Sequence, residues 1–149
     1  FLSRRVGFRD GVMGGNLGFF GPDEAVALDA AELAAEAAEQ TPDVITTFPG
    51  GIAASGSKAG SSYKFLIAAT YAEFCPTLKD KLGEQSKVPE GVGSIMEIII
   101  KGRDLEALQE ATRNAIYAAA ETSGLLKISA GNYGGRLGKT FIHLHELIA

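Results

Sequence analysis

The densest apolar stretch of the chain, Gly93–Lys101, reads Gly-Ser-Ile-Met-Glu-Ile-Ile-Ile-Lys and is interrupted by a single carboxylate, Glu97. Ile95, Met96, Ile98, Ile99 and Ile100 make a short run rich in β-branched residues, the pattern of a strand buried over most of its length. Side chains alternate across a strand, so Ile95, Glu97 and Ile99 share one face, and Met96, Ile98 and Ile100 the other. A carboxyl flanked by isoleucines loses water, and lost water favours its neutral acid form. The competing reading is an open face on which Glu97 is merely solvated.

The same patterning places elements along the rest of the chain. Arg4–Arg9 gives a weak strand signal, weakened by Arg4, Arg5 and Arg9. Gly11–Gly21 reads as a glycine-loosened strand that turns at Gly21-Pro22, with Gly14 and Gly15 marking a bulge or a close backbone approach. A helix is predicted over Asp23–Gln40, with Pro22 suited to its first position and Glu24 to its first turn. Val26, Ala30, Leu33 and Ala37 form its apolar stripe; Asp29, Glu32, Glu36 and Glu39 form an acidic one, read as a solvated face. Asp43–Phe48 is a β-branched strand stopped by Pro49-Gly50-Gly51.

Ile52–Val92 carries few regular signals. Ala53–Ser62 is small and flexible, Tyr63–Thr70 is ambiguous, and Lys79–Pro89 is polar and reads as a surface loop. An insertion of this length is often functional. Beyond Gly93–Lys101, Gly102 turns the chain and Asp104 caps a second helix. Leu105, Leu108, Thr112, Ala115, Ile116 and Ala119 keep its period until Gly124 closes it. Leu125–Ser129 is a short strand, and Phe141–Leu147 alternates as a last one.

Each half therefore runs strand, glycine (Gly21, Gly102), helix, strand, and then a glycine pair (Gly50-Gly51, Gly134-Gly135). Two split βαβ units on one antiparallel sheet predict an α+β, ferredoxin-like βαββαβ sandwich with a long insertion and one extra C-terminal strand. Both helices then lie on one sheet face. The other face needs a cover from the insertion, a second domain or another subunit.

Composition narrows the function classes. The 149 residues fit one domain, and 46% hydrophobic with 21% charged residues is ordinary for a globular protein. A net charge of −4 argues against a binder of nucleic-acid backbones. With no run of about 18 apolar residues and no signal-peptide pattern, the expectation is a soluble, intracellular protein. The single cysteine, Cys75, allows no internal disulfide framework. The opening Phe-Leu-Ser-Arg-Arg, without Met, is expected of a piece of something longer.

Three motifs invite chemistry and have plainer readings. Gly135–Thr140 resembles the end of a phosphate-binding loop, but Tyr133 stands where the pattern needs glycine and a strand, rather than a helix, is predicted to follow. His143 and His145 share a predicted strand face at a metal-ligand spacing, with Glu146 opposite; exposed or satisfied strand histidines fit better than a metal site. Cys75 reads as a small buried thiol, and Lys58 either as a solvated loop lysine or as a contact for an anionic ligand.

Taken together, Phe48-Pro49-Gly50-Gly51-Ile52-Ala53-Ala54-Ser55, Cys75-Pro76-Thr77, Pro89-Glu90-Gly91-Val92, Lys127–Gly135 and Ile142–Leu147 occur in an order that resembles the C-terminal half of formylmethanofuran:tetrahydromethanopterin formyltransferase. Family members carry two similar lobes, and this chain resembles the second. The resemblance implies a cytoplasmic one-carbon enzyme without metal or prosthetic group. Such an enzyme moves a formyl group between the amine of methanofuran and a ring nitrogen of tetrahydromethanopterin. It also implies a homo-oligomer, often a tetramer, with substrates in a cleft between lobes near a subunit contact.

By motif position the family's catalytic carboxylate falls on Glu97. Expected substrate contacts are Gly50, Gly51, Ser55, Lys58, Asn132, Tyr133 and Gly134. Lys58 or Arg136 would meet the anionic tail of methanofuran, and backbone N–H groups near Gly50-Gly51 or Gly131–Gly135 would help hold an oxyanion. Two competing classes remain: a non-catalytic ferredoxin-like binding or assembly module, and a lobe of a bacterial formyltransferase/hydrolase complex.

Overall fold

The computed structural model describes residues 7, 8, 10–56, 72–131 and 140–149, with the side chain of Met13 left aside. It is a mixed α+β structure with the order β1 (Val12–Gly21), α1 (Glu24–Glu39), β2 (Val44–Thr46), β3 (Ile52–Ala54), α2 (Lys79–Leu82), β4 (Ser94–Gly102), α3 (Leu105–Ala120), β5 (Lys127–Ala130) and α4 (Leu144–Leu147). The five strands form one antiparallel sheet in the order β2-β4-β1-β5, with β3 also on β4. The weak strand signal over Arg4–Arg9 falls mostly, and the ambiguous Tyr63–Thr70 wholly, outside the described residues.

Alternation along β4 sorts the molecule into two sides. Met96, Ile98 and Ile100 join Leu17 and Phe19 of β1 in a core roofed by α1 and α3, and Ile98 and Ile100 are fully buried. Both helices pack on each other and on β1 and β4, so they lie on one sheet face, as the repeated strand–glycine–helix order predicts. Each is started by an aspartate whose side chain accepts the backbone N–H three residues on, Asp23 from Val26 and Asp104 from Ala107. Asp23 is thus the cap, and Pro22 sits outside the helix rather than at its first position.

The buried stripe of α1 differs from the expected one. Ala27, Ala30, Ala31, Ala34, Ala35 and Ala38 face inward, whereas Leu33 is 41% exposed. Side chains of one carbon let α1 approach α3 and the sheet closely, and that approach decides which face turns in.

Three further expectations are corrected. Ile52 does not open an irregular insertion: β2 and β3 are two pieces of one edge alongside β4, broken at Phe48–Gly51 and bridged by the Thr47 N–H to Ile99 carbonyl bond of 3.2 Å. At the break Gly51 has φ +78°, and a Cβ there would lie 2.9 Å from Thr46 Oγ1 and 3.2 Å from Ala35 Cβ, so both dihedral and space require glycine. Phe141–Leu147 is not a strand. Leu144 and Leu147, three apart, sit on one side of the single turn α4; Leu147 is buried, and its carbonyl accepts Arg113 Nε at 2.8 Å. Lys79–Pro89, expected as a loop, contains α2 and a further tight helical turn at Gly83–Gln85.

On the side of the sheet opposite α1 and α3, Val88 and Val92 close over Phe20 and Ile95 to form a second, smaller cluster. That strap is fixed where Gly93 crosses Gly21-Pro22, donating to the Gly21 carbonyl at 3.0 Å. A Cβ on Gly93 would come within 2.3 Å of the Pro22 carbonyl oxygen, a distance only glycine avoids. The insertion therefore covers one end of this face. Glu97 and Ile99, farther along β4, stay half-buried.

The alanine-lined packing of α1 predicts an inverted pair of stabilities in the complete protein. Ala34→Leu should lower unfolding free energy by about 1–3 kcal/mol, because added methylenes have no space. Leu33→Ala should change it by no more than about 0.5 kcal/mol. Urea midpoints measure both, and a larger loss for Leu33→Ala would return the stripe to Leu33.

Candidate active site

Glu97 stands at the middle of β4 on the side away from the helices, between Ile95 and Ile99. Its direct cross-strand neighbours are Gly18 of β1 and Ala53 of β3, so the carboxyl rises between small residues. Its Oε2 accepts a 3.1 Å hydrogen bond from Nδ2 of Asn16, which lies diagonally across on β1 opposite Ile99. Asn16 is buried, and its Oδ1 accepts the Gly131 N–H at 3.2 Å, just beyond β5. One polar line therefore runs from Glu97 on β4 through Asn16 on β1 to Gly131 just beyond β5. Oε1 makes no hydrogen bond among the described residues.

Asn16 is not among the residues expected from sequence. The signal was present, as the one hydrogen-bonding side chain between Val12 and Phe20, but its meaning depends on a strand partner 81 residues away.

The other expected site residues are placed less uniformly. Ser55 is buried directly after β3, and its N–H donates to the Ile95 carbonyl at 2.9 Å, which seats it beside the Glu97 strand. Gly50 is exposed at the β2–β3 break, with φ +68° and open space around it. Gly51 is turned toward α1, and its N–H is given to the Phe48 carbonyl at 3.1 Å within the turn. Lys58, Asn132, Tyr133, Gly134 and Arg136 lie outside the described residues.

Cys75 is buried as expected, with its Sγ 3.2 Å from Thr77 Oγ1 and its Cβ against Gly56. Those contacts join the Cys75-Pro76-Thr77 motif to the end of the Gly50–Ser55 one, so two sequence-distant motifs flank the Ile95 end of β4. His143 leads into α4 and His145 lies within it, so they share no strand face. Among the described residues no three of His, Cys, Asp and Glu come together as metal ligands. No described helix is long and apolar enough to cross a membrane. Just past the end of β4, Arg103 hydrogen-bonds Asp104 and ion-pairs Asp43; these two acids raise its already high pKa, and it stays a cation.

A half-buried carboxyl with one oxygen held and the other uncommitted can act on a polar group brought to the sheet face. It can donate a hydrogen bond to a carbonyl oxygen in its acid form, or accept a proton in its ionised form.

The chain as a whole is similar to known proteins. The family described as FTR, proximal lobe, matches residues 1–147. The chain is 49% identical over 147 residues to the formylmethanofuran–tetrahydromethanopterin formyltransferase of Methanothermobacter thermautotrophicus, covering 98% of this chain and 49% of that protein. Among solved structures, it is similar to the formylmethanofuran:tetrahydromethanopterin formyltransferase of Methanosarcina barkeri, with a TM-score of 0.81 and 48% identity over 92% of this chain and 46% of that one. It is also similar to a chain of the formyltransferase/hydrolase complex of Methylorubrum extorquens bound to methylofuran, with a TM-score of 0.78 and 44% identity over 92% and 45%. The chain spans about half the length of the curated relatives it matches.

The packing of Cys75 predicts a slow thiol. Alkylation at Cys75 of the native complete protein, followed by peptide mass spectrometry, should proceed only as fast as the segment opens, and Cys75→Ser should retain kcat. Rapid labelling of the native protein together with loss of kcat in Cys75→Ser would make the thiol part of the site.

Proposed function

The chain belongs to the proximal-lobe family of these formyltransferases, and from that premise we propose that it is one lobe of an enzyme moving a formyl group between formylmethanofuran and tetrahydromethanopterin. The observation that carries the reading is the placement of Glu97. It stands at the middle of β4 on the sheet face opposite α1 and α3, with Oε2 held by Asn16 and Oε1 directed to no described partner. The fold reading follows the same premise. The order β2-β4-β1-β5 with α1 and α3 on one face supports a ferredoxin-like βαββαβ domain over residues 1–149.

A ring nitrogen of the pterin attacks the formamide carbon of formylmethanofuran, forming an N–C bond and turning the carbonyl oxygen into an oxyanion. Glu97 in its acid form donates a hydrogen bond from Oε1 to that oxygen. The tetrahedral intermediate then collapses, the bond from carbon to the methanofuran nitrogen breaks, and the formyl carbonyl is restored. The attacking nitrogen gives up one proton and the departing amine gains one, so the exchange balances. A preorganised donor of this kind contributes about 3 kcal/mol to the barrier. Transfer is direct between the two amines. The second lobe completes the cleft, Lys58 or Arg136 takes the anionic tail of the furan, and the working form is a cytoplasmic homo-oligomer.

The likeness to the Methylorubrum extorquens chain favours a second reading. That chain is part of a formyltransferase/hydrolase complex, solved in complex with methylofuran. The two readings share Glu97 and differ in the furan bound, so furan preference separates them.

Substituting Glu97 in the complete two-lobed enzyme tests the proposal. Glu97→Ala should lower kcat about 100-fold or more, the scale for losing one oxyanion donor. Glu97→Gln, which keeps a donor but has no proton to give up, should fall between Ala and the parent. KM should change less, because the contact strengthens in the transition state. A folded Glu97→Ala enzyme with near-normal kcat would leave Glu97 a strand residue and end the reading.

A further inference from the structure

The amide of Asn16 has two ends, and the structure determines which way round it lies. One end faces the N–H of Gly131, an obligatory donor, so that end is the oxygen. The other end is therefore the NH2 group, and it meets Oε2 of Glu97 at 3.1 Å. Turning the amide over would set NH2 against N–H and oxygen against a carboxyl oxygen, two repulsions in place of two bonds. The backbone of the chain just after β5 thus orients a side chain on β1, which orients Glu97 on β4.

The side chain of Asn16 is not needed to close the β1–β5 pairing. The Gly131 N–H is shared, and it also reaches the Asn16 backbone carbonyl at 3.3 Å in the ordinary ladder. A buried amide costs free energy unless it is satisfied, and an apolar residue would serve a strand of this kind equally well. Neither the pairing of β1 nor its packing therefore calls for asparagine at this position.

We propose that Asn16 is a positioning residue for formyl transfer. By occupying Oε2, it leaves Oε1 as the oxygen that carries the proton and meets the formyl oxygen, and it holds the carboxyl in the orientation that contact needs. The inference rests on the reading of Glu97 given above. Gly131 begins the glycine-rich stretch Gly131–Gly135, so the same bond ties the carboxyl to the start of a loop expected to contact substrate.

The test is a double-mutant cycle in the complete enzyme, with thermal melts to verify folding. Asn16→Ala should lower kcat about tenfold with KM changed by no more than about threefold, the signature of an interaction used mainly in the transition state. In the Glu97→Ala background the same substitution should cost less than about twofold, because a residue acting through Glu97 has nothing left to orient. Asn16→Asp keeps an acceptor for the Gly131 N–H but sets an acceptor against Oε2; its kcat should fall at least as far as that of Asn16→Ala. Equal losses in both backgrounds, or an Asn16→Asp enzyme close to the parent, would overturn the proposal and give Asn16 a merely structural role. If Glu97→Ala alone keeps its kcat, the reading of Glu97 has failed first, and the cycle separates that result from a failure of Asn16.

Discussion

The pairing of β4 with β1, from Ser94 opposite Gly21 to Gly102 opposite Val12, fixes the core and the candidate site in a single register. Because successive strand residues point to opposite sides, the alignment that buries Ile98 and Ile100 beneath α1 and α3 also sends Glu97 to the side opposite those two helices. A slip of one residue would drive the carboxyl under the alanine roof and expel the isoleucines. Burying a carboxyl there without partners costs several kcal/mol, so the hydrophobic core enforces the geometry of the polar line. The extra residue of the bulge at Gly14, with φ +99°, is taken up before Gly15, leaving Asn16 and Gly18 in step with Ile99 and Glu97.

Features specified by neighbouring residues were legible in the chain itself. The β4 run, the lone carboxylate within it, the Asp104 cap at the head of α3 and the bulge at Gly14 are all set by residues within a few positions. The structure places them where the pattern puts them. The two helices on one sheet face followed from the repeated strand–glycine–helix order, since a short connection leaves a helix little choice but to fold back on its own strand.

What was not legible depended on distant partners. Leu33 is the larger apolar residue, yet alanines fill the buried face of α1 because α3 and the sheet approach too closely for anything longer. Ile52–Ala54 is too short to announce itself, and it is a strand only because β4 offers an open edge beyond the break at Phe48–Gly51. Ile142 and Leu144 alternate with His143 and His145 as in a strand, whereas Leu144 and Leu147 stand at helical spacing, and packing against α3 selects the helical turn. Asn16 is the same lesson at the candidate site: its partners, Glu97 and Gly131, come from two other parts of the chain.

Fold and chemistry meet in a carboxyl that is half-buried by the sheet, oriented from a neighbouring strand and turned away from the helices. The claim that joins these features is that Oε1 of Glu97 contacts the formyl oxygen. A structure of the complete two-lobed enzyme with its formyl donor bound measures this most directly. The account predicts the formyl oxygen about 2.5–3.2 Å from Oε1 of Glu97, with Oε2 still on Asn16. A formyl oxygen held by other groups, with Glu97 facing only solvent, would contradict it.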